Sequence, residues 1–406
     1  MLSLPDIDEA RCLDFLSAMV RQPSHSETEG EARLVCSMVD ALAEIGIEAE
    51  HQAFDDGKGG ARHNAIGRWR GTGGGKSLLF NGHLDTNPVT TGWTVDPYRG
   101  LVTPEFIYGI GVSNMKAGDA AYFCAVRTLI EAGIRLKGDV ILTFVVGELQ
   151  GGIGTWNAIK AGVRADYFVN SEPTDLAALT MHGEGYQFTI ELKGRTRHLS
   201  KREEAVDAIA AACDLIPRLN AMTFSGARSP THESINRVNV GVIQGGLGPQ
   251  MEGWRPPQVA DVVVLKGAGR FAPGQTLAGA TADIRAELDG LATRFPGLEY
   301  TLTPRQRGDA PAMPAFEVSP DSPIVKAVNR AYEAVRGAPQ PTGAVGPARF
   351  YGTDAGHFYA ELGMEGVVCG PGGRYNTMPD ERVDVADYLD MIRIYMRVIL
   401  EICEAA

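Results

Sequence analysis

The feature that most limits the fold is a rhythm. Short apolar runs such as DVILTFVVGE and ADYFVNSEPT alternate with stretches of helical period such as NMKAGDAAYFCAVRTLIEAGI and GTWNAIKAG. Apolar runs of about four to eight residues between helices suit a parallel sheet covered by helices, where each strand is buried on both faces. Two helices precede this rhythm, IDEARCLDFLSAMV and EGEARLVCSMVDALAEIG, separated by RQPSHSETEG and closed by Gly46. ARHNAIGRW and KSLLFNGHLDT read as strands, with RGTGGG between them as a hairpin or loop. GTGGGKS is no phosphate loop, because a strand pattern follows it where a helix would be needed.

Near residue 181 the texture changes. YQFTIELKG alternates with period two, EEAVDAIAAACDLIPRLNAM is an amphipathic helix, and SINRVNVGVIQGG and QVADVVVLKGAG are alternating strands. The helix QTLAGATADIRAELDGLATRF and the strand LEYTLTPR complete a strand, helix, two strands, helix and strand, the order of a ferredoxin-like unit. The α/β character then resumes through SPIVKAVNRAYEAV, GTDAGHFYAELG, MEGVVCGPG and VADYLDMIRIYMRVIL. A chain of 406 residues exceeds what one core comfortably serves. The expectation is an α/β domain with a mixed, mostly parallel sheet in two parts, 1–180 and 309–406, with an α+β domain inserted at 181–308.

Composition narrows the function. The net charge of −12 and the lack of a basic run interleaved with aromatics argue against nucleic acid. No apolar stretch approaches the roughly 18 to 20 residues that span a bilayer. The first residues, MLSLPDIDEARCLDF, carry acids where a signal peptide would be basic and then apolar. Six scattered cysteines without CxxC spacing suit a reducing, cytoplasmic setting with mostly buried thiols.

Open α/β sheets gather ligands beyond the carboxyl ends of their strands. Three such ends here are unusually polar: LLFNGHLDT carries His83 and Asp85, LTFVVGELQGG carries Glu148, and YFVNSEPTD carries Glu172. Each residue alone has an ordinary explanation, as a surface histidine or a carboxylate capping a turn. Together they form a nitrogen and oxygen donor set for a divalent metal, whereas the capping explanation must be repeated at every strand.

The motifs GHLDTNP, YGIGVSNMKAG, GELQGGIGT, SEPT, GRTRHLS, GTDAGHF and GPGGRYNTMPDERV, in this order, span essentially the whole chain. In this the chain resembles the M20 family of metallopeptidases and deacylases. The resemblance implies a catalytic α/β domain, an inserted lid domain that pairs two subunits, and a site holding two zinc, manganese or cobalt ions that hydrolyses an amide or peptide bond beside a carboxylate. It implies that His83 and Glu172 bind one ion, that Asp85 orients His83, that Glu148 is the general base, and that His198 in GRTRHLS helps hold the oxyanion. Arg270 in GAGRFAPG is similar to the family's lid arginine.

The departures are as informative. Asn114 stands where the family has an aspartate bridging both ions, Leu149 replaces the second of two paired glutamates, and the late histidine falls near Asn376 or Thr377, with no histidine after His357. All three positions serve the second ion. The resemblance so amended implies one divalent ion per subunit, zinc or manganese, held by His83, Glu172 and Asn114. Glu148 would cycle a proton between a water acidified by that ion and the departing nitrogen. The substrate expected is a small carboxylate-bearing amide, its acid met by Arg270, His357, Arg374, Tyr375 or Asn376. Hydrolytic deamination of an aromatic amine such as an aminobenzoate, and a non-catalytic binding or interaction protein, stand as alternatives. The expected partner is a second copy of the chain, through the lid domain.

Overall fold

The computed structural model describes residues 4–57, 59–253, 256–305 and 313–406. Its central sheet has eight strands in the order Glu48–Asp55, Ala61–Trp69, Val140–Val145, Leu78–His83, Tyr167–Asn170, Glu365–Val368, Ala178–Leu179 and Thr342–Gly343. The four strands from Val140–Val145 to Glu365–Val368 run parallel, and the two strands at the Glu48 edge are antiparallel. Ala61–Trp69 and Leu78–His83 do not form a hairpin, because Val140–Val145 lies between them and RGTGGG is the connecting loop.

The middle strand explains why its sequence alternates little. Neighbouring side chains on a strand face opposite ways. On Leu78–His83, Phe80 meets Tyr122 and Tyr395 with ring centroids at 5.6 and 5.0 Å, while the Asn81 amide donates to the Thr143 and Thr155 hydroxyls. Tyr122 belongs to the helix Ala117–Glu131, Tyr395 to Val385–Ile402 and Thr155 to Ile153–Lys160, so helices cover both faces. All six residues of this strand are buried, and one continuous apolar core surrounds it.

The chain divides into two compact units, Met1–His182 with Asp309–Ala406, and Gly183–Gly308. The second boundary expected from sequence, at 308/309, lies outside the described residues. The inserted unit is an antiparallel sheet ordered Arg237–Gly246, Val262–Phe271, Glu184–Lys193 and Glu299–Arg305. Helices Ala208–Ala221 and Leu277–Arg294 share its separate core. All six cysteines are free thiols, with Cys36 and Cys213 exposed and the other four buried. No helix among the described residues is long and apolar enough to cross a membrane.

Candidate metal centre

Sheet register brings the polar strand ends together. His83 is opposite Val145 in the parallel pair, so the chain beyond Val145 reaches Glu148 at the edge where His83 sits. Asn81 is opposite Asn170 on the other side, which brings Glu172 to the same edge. The ligand atoms of His83, Glu148 and Glu172 all lie within 4.8 Å of one another, and all three residues are buried. From His83 Nε2, Asn114 Oδ1 is 3.0 Å away, Glu172 3.5 Å and Glu148 4.0 Å.

The turn bearing Glu148 depends on glycine. Gly147 has φ +83, and a Cβ there would fall 2.5 Å from Ile153 and 2.7 Å from the Arg62 guanidinium. Gly152, φ +76, admits Asp354 and His357 against the backbone, where a Cβ would come within 2.6 Å of both. Between them, Glu148–Gln150 forms one tight helical turn.

Asp85 joins this turn to His83. Its backbone carbonyl accepts from His83 Nδ1 at 2.9 Å, and its carboxylate is 3.5 Å from the same nitrogen. That carboxylate also accepts from the amides of Gly147, Glu148 and Leu149 at 2.8, 3.3 and 3.4 Å, and from the Ser26 hydroxyl at 2.9 Å. The ring is therefore oriented chiefly by the main-chain oxygen, and the carboxylate is mostly spent on the Glu148 turn.

Asn114 arrives by another route. The sequence places NMKAG inside a helix, but the regular helix begins at Ala117, and Asn114 and Met115 have non-helical backbone angles. The Glu381 carboxylate, 4% exposed, fixes this turn by accepting from the amides of Gly111, Ser113 and Asn114 at 3.2, 2.8 and 3.0 Å. Lys116 closes the turn below by donating to the carbonyls of Met19 and Gln22.

The electrostatics are those of crowded buried acids. Burial raises Glu148 well above the usual carboxylate range, and Glu172 adds to the shift. Burial lifts Glu172 to about 7 against the pull of His83. For His83, burial opposes the charged form, but Glu172, Asp85 and Glu148 together raise it well above the ordinary imidazole value. Burial also opposes ionisation of Asp85, yet the bond to His83 and the charges of His83 and Arg62 bring it down to about 2. Neither Glu148 nor Glu172 has a lysine or arginine within ion-pair distance among the described residues. A cation between them would relieve the repulsion.

The structure redirects several residues expected to bind substrate. His357 is 1% exposed and its Nε2 contacts the Gly151 carbonyl at 2.8 Å, which makes it a support of the glycine turn and not a holder of a substrate carboxylate. Arg374 is already surrounded by Asp175, Asp387 and Asp384 at 3.2, 3.2 and 3.7 Å, so its charge is committed. The Tyr375 ring lies 3.8 Å from the Arg382 guanidinium and edge-on to Phe106. Asn376 accepts from the Thr377 hydroxyl at 2.8 Å. His198 and Arg270 belong to the inserted unit. His198 is exposed and caps the turn Leu199–Glu204, its Nδ1 accepting from the Ser200 amide. Arg270 covers Gly185 on the neighbouring strand, where a Cβ would meet its guanidinium.

Sequence reasoning passed over three buried acids. Asp354 accepts from Thr155 through Oδ2 while Oδ1 has no partner, and burial raises its pKa. Asp119 accepts from Tyr122 through Oδ1 and leaves Oδ2 unpaired. Glu381 is the third. Asp354 and Glu381 lie within the motifs GTDAGHF and GPGGRYNTMPDERV, which located the segments without distinguishing the residues that matter.

Known proteins resemble this chain in sequence and in fold. The model of peptidase family M20/M25/M40 matches residues 79–401. An N-formyl-4-amino-5-aminomethyl-2-methylpyrimidine deformylase of Bacillus subtilis is 26% identical over 84% of this chain and 83% of its own. An acetylornithine deacetylase of Myxococcus xanthus is 27% identical over 89% and 90%, and a succinyl-diaminopimelate desuccinylase of Methylorubrum extorquens 28% over 95% and 97%. An aminopeptidase from Bacillus cereus shares the fold with a TM-score of 0.78 at 19% identity, covering 98% of this chain and 100% of its own. A dinuclear metal-binding M20 peptidase of Bacillus subtilis does so at 0.66 and 17%, covering 97% and 99%.

Proposed function

Because the chain belongs to peptidase family M20/M25/M40, we propose that it is a metal-dependent hydrolase of an amide C–N bond in a small molecule, and that one divalent ion, zinc or manganese, serves it. The observation that carries this reading is the buried convergence of His83, Glu148 and Glu172, two acids that share one imidazole and have no lysine or arginine within ion-pair distance among the described residues. One imidazole with oxygen donors suits either metal. The relatives named as a deformylase, a deacetylase and a desuccinylase support an acyl amide as substrate.

His83, Glu172 and Asn114 would hold the ion. Their donor atoms lie 3.0 and 3.5 Å from His83 Nε2, whereas Glu148, at 4.0 Å, is left for proton transfer. A bound ion supplies Lewis acidity, acidifying a water and polarising the acyl oxygen. Glu148 would take a proton from the attacking water, whose oxygen bonds to the acyl carbon, and would return it to the nitrogen as the C–N bond breaks. Asp85 holds the Glu148 turn at a fixed distance from His83 through its contacts to three successive amides. The neutral Asn114, the half-buried Leu149 and the absence of an imidazole at Asn376 and Thr377 support a single ion.

The inserted unit enters this proposal through its own residues. His198 would steady the acyl oxygen, and Arg270 would take a substrate carboxylate. The strand Arg237–Gly246, with Val242 and Ile243 exposed by 42% and 51%, is a sheet edge suited to pairing two copies of the chain.

Elemental analysis of the purified protein, read beside Glu148→Gln, tests the whole. One equivalent of metal is expected in both proteins, with turnover only in the unsubstituted one. Two ions at full occupancy would overturn the one-ion proposal, and unimpaired turnover by Glu148→Gln would overturn the role of Glu148.

A further inference from the structure

Beside the candidate metal centre lies a small pocket of about 40 Å³, whose walls include Pro88, Thr90, Trp93, Ile110, Asn114 and Met378. It is built from the loop that follows His83, the Ile110–Asn114 turn and the loop before Glu381. Asn114 belongs both to this pocket and to the centre, being 3.0 Å from His83 Nε2. A group seated here is therefore next to the atom under attack.

The pocket is lined by neutral polar residues, Asn87, Thr90, Asn114 and Thr377, as well as by four apolar or aromatic ones, and Met378 is 43% exposed. Among the described residues no lysine, arginine or histidine lines it. Its one ionisable wall, Glu381, already accepts from three backbone amides. The two nearby arginines are spent: Arg382 lies over the Tyr375 ring and donates to the Asp380 carbonyl, and Arg374 sits among three aspartates. The buried indole N–H of Trp93 has no partner.

We infer that this pocket is the acyl subsite and that it takes a compact, uncharged acyl group such as formyl or acetyl while rejecting one that ends in a carboxylate. A succinyl chain would carry its charge into a space lined by uncharged side chains and the acid Glu381, with no cation among the described residues, at the desolvation cost of an unpaired buried charge. A carboxylate elsewhere on the substrate then belongs to the amine half. The inference rests on the hydrolase reading above, but it concerns which amide is cleaved and not whether one is.

The test uses the metal-loaded protein with the N-formyl, N-acetyl and N-succinyl derivatives of a single amine. The formyl or acetyl compound should exceed the succinyl compound in kcat/KM by ~100-fold or more, the penalty of an unpaired charge. Met378→Lys, at the exposed mouth, should narrow that gap by raising activity on the succinyl compound about two- to fivefold. Equal or better use of the succinyl compound by the unsubstituted protein overturns the inference and leaves the hydrolase reading standing. If none of the three is cleaved, the hydrolase reading fails for this class. Calorimetric binding of the acetyl and succinyl compounds to Glu148→Gln then still decides the subsite: preference for acetyl supports it, and equal binding overturns it.

Discussion

The two sides of the centre are built differently. The His83, Glu148 and Glu172 side stands on three adjacent parallel strands, and its donors are nitrogen and carboxylate oxygen. The side of Asn114, Leu149 and Asn376 stands on turns and loops and offers amides and an isobutyl group. Strand ends are fixed by the hydrogen bonds of the whole sheet, so changing one donor there leaves a charged void among buried acids. Asn114 and Asn376 depend on turns outside the sheet, while Leu149 follows Glu148 in one turn and shares its Asp85 brace, so the two sides meet at that turn.

The sharpest way to break this comparison is Glu148→Gln, expected to lower kcat by ~1,000-fold or more while metal content and melting temperature stay near those of the parent. Retained turnover would show that the strand side does not carry the chemistry. Glu172→Gln should lower metal affinity by ~100-fold or more, measured by competition with a chelator of known affinity, since ligand loss should exceed the 10- to 100-fold typical of outer partners. Asp85→Asn replaces one of the two oxygens that accept from three amides and should cost about 10- to 100-fold in activity. A loss confined to metal affinity would show that it serves only His83. Asn114→Asp should raise metal affinity about tenfold, and combined with Leu149→Glu and Thr377→His it should raise the bound metal from one equivalent towards two. A triple variant that still binds one ion would mean that the loop side has lost its shape as well as its ligands.

The smallest effect is on pH dependence. Glu31 and Glu381 are each pushed to about 7, chiefly by burial. Unfolded, they ionise near about 4.3, so the folded protein holds protons that the unfolded chain has shed. Their contribution is complete below that value and is lost as pH rises through about 7. Glu172, also pushed to about 7, acts in the same direction. The melting temperature of the metal-free protein should therefore fall between about pH 5 and 7.5, and metal should flatten the decline. A melting temperature that rises across this range would show that these acids are ionised without cost.

Much of this was legible in sequence because it depends on period and on strand ends. The alternation of apolar runs and helices announced the α/β sheet, and three polar residues after apolar runs announced the centre. The sequence misplaced what depends on partners distant in the chain. RGTGGG looked able to close a hairpin, but strand order is set by the Val140–Val145 strand entering between its neighbours. His357 and Arg374 looked like substrate contacts because a lone histidine or arginine advertises function. Only the fold reveals that Gly151 and three aspartates already occupy them. Asp354 and Glu381 went unnoticed for the converse reason, since acids in loops look solvated until the packing shows them buried.

Asp85 has a bearing on how such a protein can be diversified. By gripping three consecutive amides with its carboxylate and an imidazole with its own carbonyl, it ties the Glu148 turn and the His83 ring into one piece. The loop from Asn87 to Trp93 begins only two residues further on and lines the pocket without sharing that brace. Randomising that loop should therefore search new acyl preferences while the machinery behind it stays in register. The boundary between the heritable engine and the adjustable mouth of this enzyme falls between Asp85 and Asn87.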